Sequence, residues 1–247
     1  MSSPSLGFII TSSNQPKSGE VCLQFIRKHY PESYVMICGA GGVDYYDLSK
    51  KYNTDYYESQ YSLHYPVEPY GWRSKDVLNF LSKFYIAFSK TDTTHMMYVE
   101  EDIFVLKKLI LSDEIEISGY KANYPDGRKF ENGFPDKFIE IITNFSGVIP
   151  NVTGYGAGGG TVMKVKTFLD NYFKIKSFLE SNLDFIEDVI YSKAGWIDCF
   201  LTYYYLMCGK KYTYNPLLAE VHHDKNFDIY NPPSWMEVAS CYKKYYI

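Results

Sequence analysis

Three consecutive carboxylates, Glu100-Glu101-Asp102, stand between two short apolar runs, Met96-Met97-Tyr98-Val99 and Ile103-Phe104-Val105. Both runs have the β-branched and aromatic content of buried strands, so the acids fall at a strand end or a tight break rather than along a solvated helix face. Hard oxygen ligands held at such a break suit Mg2+ or Mn2+. These ions take one or two carboxylates and complete their shell with the oxygens of a substrate diphosphate. The chemistry implied is the handling of a nucleotide. Standing alone, the triplet reads equally as acids that end a strand and face water, so its neighbours in the chain decide between the two.

The elements before it supply a frame. Leu6 to Thr11 reads as a buried strand, followed by a loop through Ser12 to Pro16. Apolar residues at helical spacing run from Val21 to His29 until Pro31 stops them, and Tyr34 to Cys38 reads as a second strand. Strand, helix, strand at this spacing is a right-handed βαβ unit, whose ligands bind at the carboxyl ends of the strands. Those ends are Thr11-Ser12 and the stretch Gly39-Ala40-Gly41-Gly42-Val43-Asp44. Its glycine spacing is not the dinucleotide fingerprint. Three readings stay open: a nucleoside site with Asp44 accepting from a ribose hydroxyl or base N–H, a methyltransferase cofactor loop, and a glycine turn with a solvated aspartate. A short third strand fits within Asn53 to Ser59, and a helix starts at Ser74 with Val77, Phe80, Leu81, Phe84, Tyr85 and Phe88 on one side. Arg73 and Lys75 at its start are placed to reach a bound diphosphate, or serve as surface cations.

Composition bounds the rest. A chain of 247 residues, 46% hydrophobic, is long enough for one large core. A net charge of −4 and a pI near 5.8 give no general attraction to nucleic acid or an anionic membrane. Five cysteines without CxxC spacing read as reduced thiols packed as small apolar groups. With no signal-peptide pattern and no run of about 18 apolar residues, the expectation is a soluble, cytoplasmic protein without a membrane span. Twenty-six tyrosines offer ring surfaces on which sugars and bases stack.

The second half adds further candidates. Ile115 to Tyr120 reads as a strand, and Lys121 to Lys137 as a loop suited to an acceptor. Gly154-Tyr155-Gly156-Ala157-Gly158-Gly159-Gly160 lets backbone pass close to a ligand before a strand and helix begin. Asp188, and then Trp196 and Asp198, precede an apolar helix that runs to about Met207 and ends near Gly209. Leu217 to Asp224 reads as a last strand carrying His222 and His223, which point to opposite faces if extended. Asn231-Pro232-Pro233-Ser234 reads as a proline loop closing the tail, packed down by Trp235 and nearby tyrosines.

This order of parts resembles the nucleotide-sugar-dependent glycosyltransferases with the GT-A fold, in which a βαβ half ends in a strand bearing the DXD motif. Glu100-Glu101-Asp102 resembles that motif, with glutamate in place of the usual first aspartate. The resemblance implies an α/β chain with a Rossmann-like, mixed and mostly parallel sheet flanked by helices. It implies one domain over 1–247, with a nucleotide-binding half to about 105 and an acceptor and metal-completing half after it. By the same resemblance Thr11, Ser12, Asp44, Arg73, Glu100 and Glu101 hold the nucleotide sugar. Gly159 and Gly160 lie under the sugar, and Trp196 stacks on it. Asp102 binds Mn2+ or Mg2+ with His222 or His223, His222 being preferred. Asp198, with Asp188 as the alternative, is the catalytic base. The implied reaction moves a sugar from a nucleoside diphosphate, UDP in the first instance, to a hydroxyl acceptor such as a glycan, with inversion. An S-adenosylmethionine-dependent methyltransferase, a sugar nucleotidyltransferase and a non-catalytic glycan-binding protein are the other classes.

Overall fold

The computed structural model describes residues 3–12, 15–39, 43–59, 74–119, 136–150, 159–184, 199–215, 218, 228 and 230–240. Strand β1 (Leu6–Ser12) is buried along its whole length because helices cover both faces of the sheet around it. Leu6, Phe8 and Ile10 join the core under α1 (Pro16–His29), while Ile9 joins the core on the other face, under α3 (Ser74–Phe88). Strand β4 (His95–Glu100) alternates in the same way, with Met97 and Val99 toward α1 and Met96 and Tyr98 toward α3.

The main sheet has seven strands in the order β3-β2-β1-β4-β7-β6-β8, with β2 at Val35–Gly39, β3 at Asp55–Glu58, β6 at Ile117–Gly119, β7 at Thr161–Lys164 and β8 at Tyr212–Tyr214. Strands β1 to β4 pair in parallel, β7 runs antiparallel to both β4 and β6, and β8 is parallel to β6. The sheet is therefore mixed and mostly parallel, as the resemblance implied. Its single reversed strand has a consequence for the site: the amino end of β7 arrives at the edge where β1, β2 and β4 have their carboxyl ends. A second, two-stranded sheet pairs β5 (Ile103–Val105) antiparallel with β9 (Val238–Ser240), and Phe104 of β5 meets Phe25 of α1 edge to face at 5.2 Å.

Helices α3, α5 (Val165–Ser181) and α6 (Cys199–Met207) cover the face opposite α1, with Ile142 of α4 (Asp136–Ser146) reaching the same core. This core absorbs tyrosines rather than displaying them: Tyr203, Tyr204 and Tyr205 of α6 are all buried. Tyr204 stacks on Phe168 with centroids 4.3 Å apart and donates to the Phe168 carbonyl at 2.6 Å, and Tyr205 donates to the Lys164 carbonyl at 2.7 Å. The Tyr204 and Tyr205 phenols are tolerated there because each hydroxyl finds such an acceptor. Burial pushes both phenols well above their ordinary pKa.

Several boundaries differ from those expected. Helix α1 starts at Pro16 rather than near Val21, since proline at the first helical position lacks only an N–H that would have had no partner inside the helix. Helix α4 takes in the last residues of the segment read as an acceptor loop, and β9 follows the proline loop near the C-terminus. Trp235 does not pack the tail down, being 53% exposed, and Tyr230, 75% exposed, meets only the edge of the core with its ring 6.1 Å from that of Phe25; Met236, Glu237, Val238 and Ala239 are buried there, and Tyr242, Tyr245 and Tyr246 lie outside the described residues. Helix α6 ends as expected: Gly209, at φ +70, lets its N–H reach the Leu206 carbonyl and the Lys210 N–H reach that of Tyr205. Cys22, Cys38 and Cys208 are free thiols, the first two fully buried. Arg27 gathers the carbonyls of Tyr30, Pro31, Ser33, Tyr52 and Asn53, tying the end of α1 to the turn before β3. Among the described residues no helix is long and apolar enough to cross a membrane.

Candidate functional site

Register places the candidate residues along one edge of the main sheet. Thr11 sits opposite Cys38 on one side and Glu100 on the other, and Ser12 sits opposite Gly39. Tyr98 pairs with Thr161, and the Gly160 N–H donates to the Tyr98 carbonyl at 3.0 Å. The glycine-rich approach to β7 is thus fastened to the strand that carries the acids. Gly160 has φ +86, a backbone conformation that favours glycine, and a Cβ there would come 3.2 Å from Val238 Cγ1, a tight contact that adds to the cost of any side chain.

The three acids differ in what they face. Glu100 ends β4 and is exposed, Glu101 is 5% exposed, and Asp102 is intermediate with its Oδ1 fully buried. In the turn after β4 Glu101 lies inward on the α1 side, Glu100 outward, and Asp102 between them with one oxygen closed off from solvent. Both of these acids are felt under α1: burial first, then the charges of Asp102 and Glu101, raise the pKa of the Cys22 thiol. Buried in this way, the thiol stays protonated and inert.

Hydrogen bonds cross the strand ends. The Thr11 hydroxyl donates to Tyr98 Oη at 3.2 Å, and Tyr98 Oη donates to Glu100 Oε1 at 3.2 Å. On the other face of the sheet the Ser12 hydroxyl donates to Tyr45 Oη at 2.7 Å. The Tyr45 phenol is raised in pKa chiefly by burial, with the bond from Ser12 opposing and the charge of Glu101 adding. Tyr45 and Tyr56 close over Gly39, where an added Cβ would meet their rings at 3.1 and 3.0 Å. Asp44 is exposed and its Oδ1 accepts the Tyr46 N–H at 2.8 Å, a local turn that steadies the start of α2 (Tyr46–Lys51).

The described part of the fold therefore brings Thr11, Ser12, Glu100, Glu101, Asp102, Gly159 and Gly160 to one edge, with Asp44 joined to it through its neighbour Tyr45. Arg73, Asp188, Trp196, Asp198, His222 and His223 lie outside the described residues. Tyr98, Tyr45 and Tyr56 were missed by sequence reasoning. Tyr98 carried a signal, since it lies two residues before Glu100 and shares its face of the strand; Tyr45 and Tyr56 carried none, because their roles depend on which strands become neighbours.

An exposed carboxylate and a second, half-exposed one give hard oxygen donors that fit Mg2+ or Mn2+, ions content with one or two protein carboxylates beside phosphate oxygens. Among the described residues no three metal-binding side chains cluster.

No family model matches the chain, and no curated protein matches it in sequence. Solved structures do match in shape. The galactosyltransferase LgtC, crystallised with donor and acceptor sugar analogues, superposes with a TM-score of 0.54 at 11% identity, covering 95% of this chain and 86% of that one. An active-site mutant of LgtC gives the same score and coverage at 12% identity. Identity at this level establishes a shared fold.

Proposed function

Proceeding from the GT-A fold that this chain shares with those structures, we propose that it is a glycosyltransferase moving a sugar from a nucleoside-diphosphate sugar to a hydroxyl acceptor. The observation that carries the reading is the acidic triplet at the sheet edge, with Glu100 exposed, Glu101 buried, Asp102 half-buried between sheet and solvent, and Gly160 fastened to the same strand. A diphosphate sugar needs these features together: carboxylates for a cation and for sugar hydroxyls, and bare backbone where the donor passes closely.

In this reading Thr11, Ser12, Asp44 and Glu100 fix the nucleoside, and Gly159 and Gly160 lie along the donor sugar. Asp102 holds Mn2+ or Mg2+ together with His222 or His223. When bound, the ion neutralises the charge that develops on the departing diphosphate. Arg73, next in the chain to the start of α3, adds a cation for the same phosphates. Asp198 is next in the chain to Cys199, where α6 begins, a position that favours a carboxylate. It takes the proton of the acceptor hydroxyl as that oxygen attacks the anomeric carbon, with inversion; Asp188 is the alternative base, and Trp196 stacks on a sugar ring.

The test is a melting-temperature screen of nucleotide sugars, UDP-sugars first, with and without Mn2+. A donor at a hundred times its dissociation constant stabilises by about 2.7 kcal/mol, or roughly 5–10 °C for a chain of this size. Release of nucleoside diphosphate with a glycosylated product separates this activity from a nucleotidyltransferase, which releases pyrophosphate, and from a methyltransferase. A chain that no nucleotide sugar stabilises, with or without the ion, is not such an enzyme.

A further inference from the structure

Glu100, the exposed acid at the end of β4, has one more rotatable bond than an aspartate would have at that edge. The structure constrains it from one side. Tyr98 shares its face of the strand, is only 3% exposed, and has its ring gripped edge to face by Phe80 at 5.9 Å and Phe84 at 5.3 Å. The phenol oxygen is thereby held at the sheet edge, within hydrogen-bond distance of both Thr11 and Glu100.

Proton inventory fixes the direction of this chain. A carboxylate oxygen only accepts, so the single phenol hydrogen goes to Glu100, and the Thr11 hydroxyl must then give its own to the phenol oxygen. Thr11 and Glu100 are register partners on adjacent parallel strands, so the relay spans β1 and β4 at their carboxyl ends. Its outermost member is a carboxylate, which leaves hydrogen-donating groups or cations as the partners this corner can take. The neighbouring hydroxyls of a ribose are such donors.

We propose that Tyr98 is a positioning residue: fed by Thr11, it fixes the Glu100 carboxylate where it accepts from the ribose diol of the nucleotide, and so selects ribo- over 2′-deoxyribonucleotides. This inference rests on the donor site proposed above. It adds a residue and a selectivity that the site's acids alone do not supply.

The experiment is calorimetric titration of the folded protein, in the presence of Mn2+, with UDP and with 2′-deoxy-UDP. If another common ribonucleoside diphosphate binds more tightly, that nucleotide and its 2′-deoxy form replace them. The parent should prefer the ribo form by roughly tenfold, the value of one well-placed hydrogen bond to a charged group. Tyr98→Phe removes only the hydroxyl; it should lower that preference to about twofold while changing affinity for the 2′-deoxy form less than threefold. In a Glu100→Ala background, Tyr98→Phe should make no further difference to the ratio, whereas a merely structural role would weaken both nucleotides alike in either background. An unchanged preference in folded Tyr98→Phe, or a parent without preference, overturns the inference and leaves the donor site standing. A parent that binds none of these nucleotides removes the donor site itself.

Discussion

Replacing Gly160 with alanine tests whether the glycine-rich approach to β7 is held as described. The residue has φ +86, and an L-residue in the left-handed region costs roughly 1–2 kcal/mol. A second cost comes from Val238, whose Cγ1 would lie 3.2 Å from the new Cβ. Val238 is buried in β9 and stiff at χ1, so moving it aside costs up to about 1 kcal/mol more. The total of about 1–3 kcal/mol corresponds to a melting temperature roughly 2–12 °C lower for a chain of this size. A double-mutant cycle separates the two causes. Val238→Ala alone loses about 2–3 kcal/mol of buried side chain, but it removes the contact, so Gly160→Ala in that background should cost about 0.5–1 kcal/mol less than in the parent. The assay is urea unfolding followed by circular dichroism. Gly160→Ala within about 0.5 kcal/mol of the parent would refute both the backbone argument and the fastening of this loop to β4.

Acid should destabilise the fold partly through His95. Its Nε2 donates to the Ile115 carbonyl at 2.8 Å, and burial, with Lys164 nearby, holds the ring below its ordinary pKa although that bond, Asp113 and Glu116 oppose the shift. The unfolded chain then takes the proton more readily, so stability is full above about pH 6.5 and is lost as pH falls toward the lowered folded value. His29 is lowered in the same direction. His95→Gln, which cannot titrate, should flatten the fall in melting temperature between pH 7 and 5; an unchanged slope would mean that His95 takes no part. Arg27→Ala breaks five bonds to carbonyls and should cost roughly 2–3 kcal/mol in urea unfolding, with Arg27→Lys recovering less than half because an ammonium cannot reproduce the planar fork. Near-parent stability of both variants would sink this account. Asp198→Asn should leave nucleotide affinity near that of the parent and slow transfer about a hundredfold or more. If Asp188→Asn is the slow variant instead, the base is Asp188; if neither slows transfer, an inverting base from this segment is wrong.

The sequence by itself determined the local elements. Continuous apolar runs gave β1, β2 and β4, because strands covered on both faces need no polar side. The 3.6-residue spacing from Val77 to Phe88 gave α3, and Gly209 marked the end of α6. A strand ending in three acids after a βαβ unit pointed to one edge, since parallel strands place their carboxyl ends together. The tertiary structure decided what depends on neighbours far apart in the chain. That β7 is reversed, and so brings Gly159 and Gly160 to the same edge, follows from which strands pair, which no local pattern encodes. Glu101 turned inward against α1, and Glu100 was tied through Tyr98 to Thr11, 89 positions away in the chain, because β1 and β4 became neighbours. Strands β8 and β9 escaped for the same reason: a three-residue strand is legible only where an apolar run marks it, as at β5, and these two depend on partners that only the fold supplies.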